Sequence, residues 1–314
     1  MLNDIAEKLG VSKTTVSRAI SGKGRLSENT RKRVLKYINE IGYVPNAAAY
    51  NLATTKTGNI AFAMPHSRDS AISSYFLECL FGVSQVAAEA SYDVIVVRDE
   101  WEAISRIVNS RKADGVVISR NSIGDAALQK LAVSDIPIVL TGSANAEGII
   151  QISYDARAAF RELTMRLMDM WPGKIGLIVA QKDSPANITR AEGYTDALTI
   201  KNQPLPHIAW DAVTESKVYQ AFSDMYRNDV SNFVCGDDVV CMNLLNTVQK
   251  EKGCNEINIA SFHNSHYLET FHPGIPVVSL DPIKLGDIAC KMLLRNIEGK
   301  ETPVTTLLDY SLRI

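Results

Sequence analysis

What this sequence lacks narrows its chemistry before any motif is read. Its five cysteines (Cys79, Cys235, Cys241, Cys254 and Cys290) are odd in number and never spaced C-x-x-C. That argues against a disulfide framework and against a thiolate zinc site, and leaves buried thiols as the expectation. The five histidines (His66, His207, His263, His266 and His272) follow no metal-ligand spacing. H-E-x-x-H, a Gly-rich phosphate loop and a nucleophile-triad signature are missing as well. No metal, no cofactor and no enzymatic activity are therefore expected. No apolar run approaches the roughly 18 residues that cross a bilayer, and no charged-then-apolar leader opens the chain. The expectation is a cytoplasmic protein without membrane contact.

A large net charge is also missing, since 33 Lys and Arg against 35 Asp and Glu leave −2. The balance hides a split. Residues 1–58 hold ten Lys or Arg against four Asp or Glu, +6, and the remainder holds 23 against 31, −8. A basic head on an acidic body points to a polyanion as partner of the head alone. With 314 residues, 46% of them hydrophobic, the chain can bury a sizeable core and divide into two or three domains.

What is present begins at once, in Leu2 to Ile20. Ile5, Ala6 and Leu9 form an apolar stripe at helical spacing, Gly10 can end that helix left-handed, and Ser12 can cap a second. On the second helix Val16, Ala19 and Ile20 share one side, so the 100° step leaves Thr14, Ser17, Arg18 and Ser21 opposite. An outward face of hydroxyls and one Arg suits base edges in a major groove; a solvated helical hairpin is the other reading. After the loop Gly22-Lys23-Gly24-Arg25, Ser27 can cap a third helix to about Ile41, with Val34, Leu35, Ile38 and Ile41 inward and Arg31, Lys32, Arg33 and Lys36 basic. Beside such a helix, Arg25 and the basic run led by Arg31 would hold phosphates and fix register. Gly42-Tyr43-Val44-Pro45-Asn46 then breaks the helix. Ala47 to Ala53 is too short to be stable alone and leads into a polar linker ending at Gly58, a coupling element that would order on binding.

From Asn59 the pattern becomes strand then helix. Apolar runs at 60–64, 94–97, 115–118, 136–140, 175–179, 233–235, 257–260 and 277–280 alternate with amphipathic segments. Parallel sheets covered on both faces follow, and so many strands split naturally into two units. Ligands of open parallel sheets sit beyond the carboxyl ends of strands, which directs attention to the residues just after those runs.

At this point the chain resembles the bacterial transcription repressors of the lactose repressor and galactose repressor family. The likeness rests on Val11-Ser12-x-x-Thr15-Val16-Ser17-Arg18, on Gly42-Tyr43-x-Pro45-Asn46 and on Leu52. In the body it rests on Tyr75-Phe76 with Gly82-Val83, 113–117, 136–139, Arg190-x-x-Gly193-Tyr194-x-x-Ala197-Leu198, Gly236-Asp237-Asp238 and 276–286, in matching order. The resemblance implies an all-α helix-turn-helix DNA-binding head (1–45), a hinge helix and linker (46–58), and an α/β periplasmic-binding-protein-like body of two parallel-sheet lobes (59–314). The lobes would be about 59–154 plus 282–308, and about 155–281 plus 309–314. It adds Lys13 to the base-reading positions, joins Asn46 to the DNA contacts, and makes Leu52 a minor-groove wedge of the hinge helix.

In the body the resemblance implies a small-molecule effector, a sugar by family habit, held by Tyr75, Phe76, Arg190, Asp237, His263 and Asp281. It departs from the family at Tyr50, at Asp237 where Asn is usual, and at His263 where an acid is usual. His263 is either a ligand contact or a satisfied loop histidine, Tyr75 and Phe76 either stack a ligand or fill core, and one of Asp237 and Asp238 is a helix cap. Trp210 is a stacking candidate by chemistry alone. The implied protein is a homodimeric repressor on a near-palindromic operator, released by its effector. A corepressor-dependent regulator, or one controlled by a protein partner, is the alternative.

Overall fold

The computed structural model describes residues 2–22, 24–43, 56–65, 74–204, 206–251, 257–263 and 265–314. Asn46, Leu52, the hinge segment 47–53, Tyr50, most of the 66–74 segment and Cys254 lie outside them. The chain divides into two compact units, Met1–Gly58 and Asn59–Ile314.

The first unit is three helices, α1 (Leu2–Leu9), α2 (Lys13–Ser21) and α3 (Glu28–Glu40). Ser12 and Ser27 cap α2 and α3, each side chain accepting the backbone N–H three residues on, from Thr15 and Thr30. Gly10 and Gly22 take the left-handed conformation that ends α1 and α2. The core is Ile5, Ala6, Val16, Ala19, Val34 and Ile38, with Tyr37, Leu26 and others packed around it. Leu35 and Ile41 do not join it, being 38% and 48% exposed. Leu35 is rotated 100° from Val34 about the helix, and Ile41 is already the C-cap.

The second unit has two six-stranded sheets. In chain order its elements are β1 (Asn59–Met64), α4 (Ser74–Glu89), β2 (Asp93–Arg98), α5 (Trp101–Ser110), β3 (Gly115–Ile118), α6 (Asp125–Ala132), β4 (Ile138–Thr141), β5 (Ile150–Tyr154), α7 (Ala156–Met170), β6 (Lys174–Ile178), α8 (Pro185–Ile200), β7 (His207–Ala209), α9 (Glu215–Tyr226), β8 (Val230–Cys235), α10 (Asp238–Lys250), β9 (Asn258–Phe262), α11 (His266–Phe271), β10 (Val277–Ser279), α12 (Pro282–Ile297), β11 (Thr305–Leu308) and β12 (Ser311–Arg313). The sheet orders are β11-β5-β4-β3-β1-β2 and β12-β10-β9-β8-β6-β7, parallel except for β12.

Alternate residues of β1 feed opposite faces: Ile60, Phe62 and Met64 meet α4 and α12, while Ala61 and Ala63 meet α5 and α6. The second sheet is likewise covered by α7 and α8 on one face and by α9, α10 and α11 on the other. β5, β7, β11 and β12 escape the apolar-run pattern. β5 buries alternate residues only, β7 is nowhere fully buried, and the other two are half-exposed edge strands.

Glycine sets the closest helix crossings. A Cβ at Gly82 would stand 2.0 Å from the Ile283 carbonyl oxygen, and one at Gly286 2.0 Å from that of Cys79, so α4 and α12 touch backbone to backbone. Gly193 does the same for α8 against α7, 2.3 Å from the Arg157 oxygen.

The chain crosses between sheets three times, at 154–156, 279–282 and 308–311. The Tyr154 hydroxyl donates to the Asp281 carbonyl at 2.6 Å and accepts from its N–H at 3.1 Å, tying two crossovers together. Leu280 and Tyr310 pack against the cores of both lobes.

Candidate functional site

On the head, Lys13, Thr14, Arg18 and Arg25 are exposed and Ser17 is half-buried, while Val16 and Ala19 anchor α2 from below. Gly24 brings the following loop against Arg18: a Cβ there would lie 3.2 Å from the Arg18 Cδ and Nε. The basic run on α3 has internal duties. Arg31 donates to the Gly22 carbonyl at 3.1 Å and Arg33 to that of Leu9 at 2.9 Å, each fastening a helix end. Lys32 and Lys36 pair with Glu28 and Glu40 at 3.9 and 3.8 Å, contacts too exposed to be worth much.

In the body, one cleft collects residues that follow the carboxyl ends of strands in both sheets. Ser119, Arg120 and Asn121 come after β3, Gly142 and Ser143 after β4, Gln181 after β6, Asp237 and Asp238 after β8, His263 after β9 and Leu280 after β10. Its volume is ≈ 230 Å³.

Arg190 lies on the second turn of α8, with Nη1 donating to Asn187 Oδ1 at 2.9 Å and its guanidinium 4.6 Å from the Phe262 ring centre. Asn187 is itself buried and donates to the Gln181 carbonyl at 3.0 Å, so the pair pre-sets the guanidinium. Burial lowers the Arg190 pKa, opposed by the charge of Asp237, and its Nε finds no hydrogen-bond partner among the described residues. Asp237 is the N-cap of α10, accepting the Val240 N–H at 2.8 Å; burial, then the neighbouring Asp238, raise its pKa.

His263 is 3% exposed, takes φ 81°, and leaves both ring nitrogens without partners among the described residues. Such a backbone strains a non-glycine residue by about 1–3 kcal/mol. The loop holds it there: its N–H donates to the Val278 carbonyl at 3.1 Å and its carbonyl accepts from Ser261 Oγ at 3.3 Å. Burial, then the charge of Arg190, push its pKa down to about 4.

Tyr75 and Phe76 both line the cleft and pack against the first-lobe core, so the two readings of these aromatics coexist. Tyr75 meets His263 edge to face at 5.4 Å. Asp281 is a correction: it is exposed and absent from the cleft lining, and its carboxylate caps α12 through the Lys284 N–H at 2.9 Å. Trp210 is another, for it is half-buried against the second-lobe core and is not among the residues lining the cleft. Residues that motif reading missed are Ser119, Arg120 and Asn187. The first two immediately follow an apolar strand, the one available signal; Arg120 donates to Asp99 at 2.6 Å and lies 5.9 Å from the Phe76 ring centre.

Two family models match. Residues 1–46 fit the bacterial regulatory proteins of the lacI family, and residues 173–314 fit the periplasmic binding protein-like domain. The head thus carries the lacI-family match, and the later part of the body that of a periplasmic binding protein-like domain. Among similar proteins, catabolite control protein A of Priestia megaterium is 24% identical across 99% of this chain and 96% of its own. The Lac repressor dimer bound to operator and the anti-inducer ONPF superposes with a TM-score of 0.81, at 19% identity over 99% of this chain and 97% of that one. The regulator CelR in complex with cellobiose does so at 0.69, with 20% identity over 100% and 98%. The chain thus shares the fold of these structures. No helix among its described residues is long and apolar enough to cross a membrane, and no group of three His, Cys, Asp or Glu there could hold a metal ion.

Proposed function

We propose that the chain is a homodimeric, non-enzymatic, cytoplasmic repressor whose two heads read a near-palindromic operator and whose cleft binds a sugar or sugar-derived effector that releases it. The observation that carries this reading is the cleft, where an Arg, a carboxylate and an imidazole without a hydrogen bond among the described residues converge beside aromatic faces at the strand ends of two sheets. Relatives support it: the Lac repressor neighbour is a dimer on operator, and the CelR neighbour holds cellobiose. Lys13, Thr14, Ser17 and Arg18 contact bases, Arg25 and Arg31 hold phosphates, and Asn46 and Leu52 belong to the hinge contacts. Effector contacts are Tyr75, Phe76, Arg190, Asp237 and His263. Ligand clamped between the lobes shifts their spacing, and reciprocity requires the DNA complex to bind that ligand more weakly.

The test starts from duplexes selected out of a random pool by the full chain. They are expected to be near-palindromic, and Arg18→Ala is expected to lose roughly 1–3 kcal/mol of discrimination at one base per half-site. Absence of any sequence preference refutes the head assignment. Operator affinity is then titrated with sugars. Arg190→Ala, measured against its own ligand-free state, is expected to lose the ligand-induced change. A ligand that tightens operator binding makes the protein a corepressor-dependent regulator instead.

A further inference from the structure

Three cleft side chains keep buried polar atoms without partners among the described residues: Ser119 Oγ after β3 in one lobe, on a residue 1% exposed, and in the other Arg190 Nε and both nitrogens of the His263 ring after β9. Arg190 and Asp237 feel each other's charge yet form no ion pair among the described residues, which leaves the ground between them for a ligand. Their hydrogen-bonding capacities differ. A guanidinium only donates, a carboxylate only accepts, a neutral imidazole has one donor and one acceptor, and a serine hydroxyl does both. A ligand hydroxyl, donating and accepting at one atom, can satisfy all of them. An ionised carboxylate or phosphate oxygen accepts only; standing in place of that hydroxyl it leaves the acceptor nitrogen of His263 unmet and brings a charge beside Asp237 and the buried Asp238. The other cleft cation, Arg120, is already bonded to Asp99 at 2.6 Å.

Resting on the effector reading above, we infer that His263 and Ser119 determine specificity, restricting the cleft to uncharged polyhydroxylated ligands and excluding sugar phosphates and sugar acids. The groups facing His263 are Tyr75, Arg190 and Asp237; burial and Arg190 hold its pKa near 4, Asp237 opposing them. Protonating His263 to serve an anionic ligand at pH 7 therefore works against its burial and against Arg190.

The experiment is a thermal-shift and calorimetric screen of the full chain against neutral pentoses, hexoses and disaccharides, each paired with its terminal phosphate and its uronate. At least one neutral sugar is expected to raise the melting temperature, with its charged counterparts at least about tenfold weaker. His263→Gly, which suits the left-handed backbone, and Ser119→Ala are each expected to weaken the neutral sugar about tenfold, His263→Gly also narrowing the gap to the charged forms. Ligand-free melting checks the fold of each variant, and Ser119→Ala, nearly isosteric, carries the test if the glycine variant does not fold. A phosphate or uronate that binds as well as its parent overturns this inference and leaves the effector reading standing, as does unchanged affinity in folded variants. No shift from any compound overturns the effector reading itself.

Discussion

His263 shows what a single residue costs and what it is kept for. Buried, in a left-handed backbone and with neither ring nitrogen hydrogen-bonded among the described residues, it lowers the stability of the fold. Its pKa is depressed from 6.5 to about 4, so between those pH values the unfolded chain takes a proton that the folded chain refuses. Stability is therefore expected to fall by up to about 3 kcal/mol as pH drops from 6.5 to 4, and to be held in full above 6.5. Urea melts across that range, wild type against His263→Asn, check this: the variant is expected to lose that part of the slope. Parallel slopes refute the assignment. The chain order says nothing of this burial. The family resemblance marks His263 as a ligand candidate, but only the fold, bringing the end of β9 to Tyr75 of α4 and Arg190 of α8, buries it.

Among elements, the caps of the head are local and were legible, as was the α3 stripe at Val34 and Ile38, though not at Leu35 and Ile41. Ser12, Ser27, Gly10 and Gly22 act within a few residues of where they stand. The basic run on α3 was less so, because Arg31 and Arg33 reach back 9 and 24 residues to carbonyls that only folding brings near. The α4–α12 crossing is equally non-local. Gly82→Ala must push its Cβ into the Ile283 carbonyl, and no flexible side chain there can yield. The expected loss is about 1–3 kcal/mol, read as a lower melting temperature of the body. An unchanged melt would mean that the two helices part freely.

For the whole molecule, two units with separate cores imply two cooperative transitions. Calorimetry of the full chain is expected to resolve a small head transition and a larger body transition, with a cleft ligand raising the body transition only. One merged peak responding as a unit would show that head and body unfold together. In the body the lobes share Leu280 and Tyr310, and the paired bonds of Tyr154 to Asp281 tie two of the crossovers together. That is a suitable element for a ligand to bias.

Sequence by itself determined the elements whose signal is periodic or adjacent: three capped helices, the basic head, eight apolar strands and the strand ends where a ligand would sit. Those depend on backbone geometry within a few residues. Tertiary structure alone decided that Asp281 caps a helix while Asp237 both caps and faces the cleft, that Trp210 lies half-buried against the second-lobe core, and that Ser119, Asn187 and Arg120 join Arg190 and His263. Each of those outcomes turns on which strand ends meet across two sheets, and burial and hydrogen bonding there are set by residues distant in the chain.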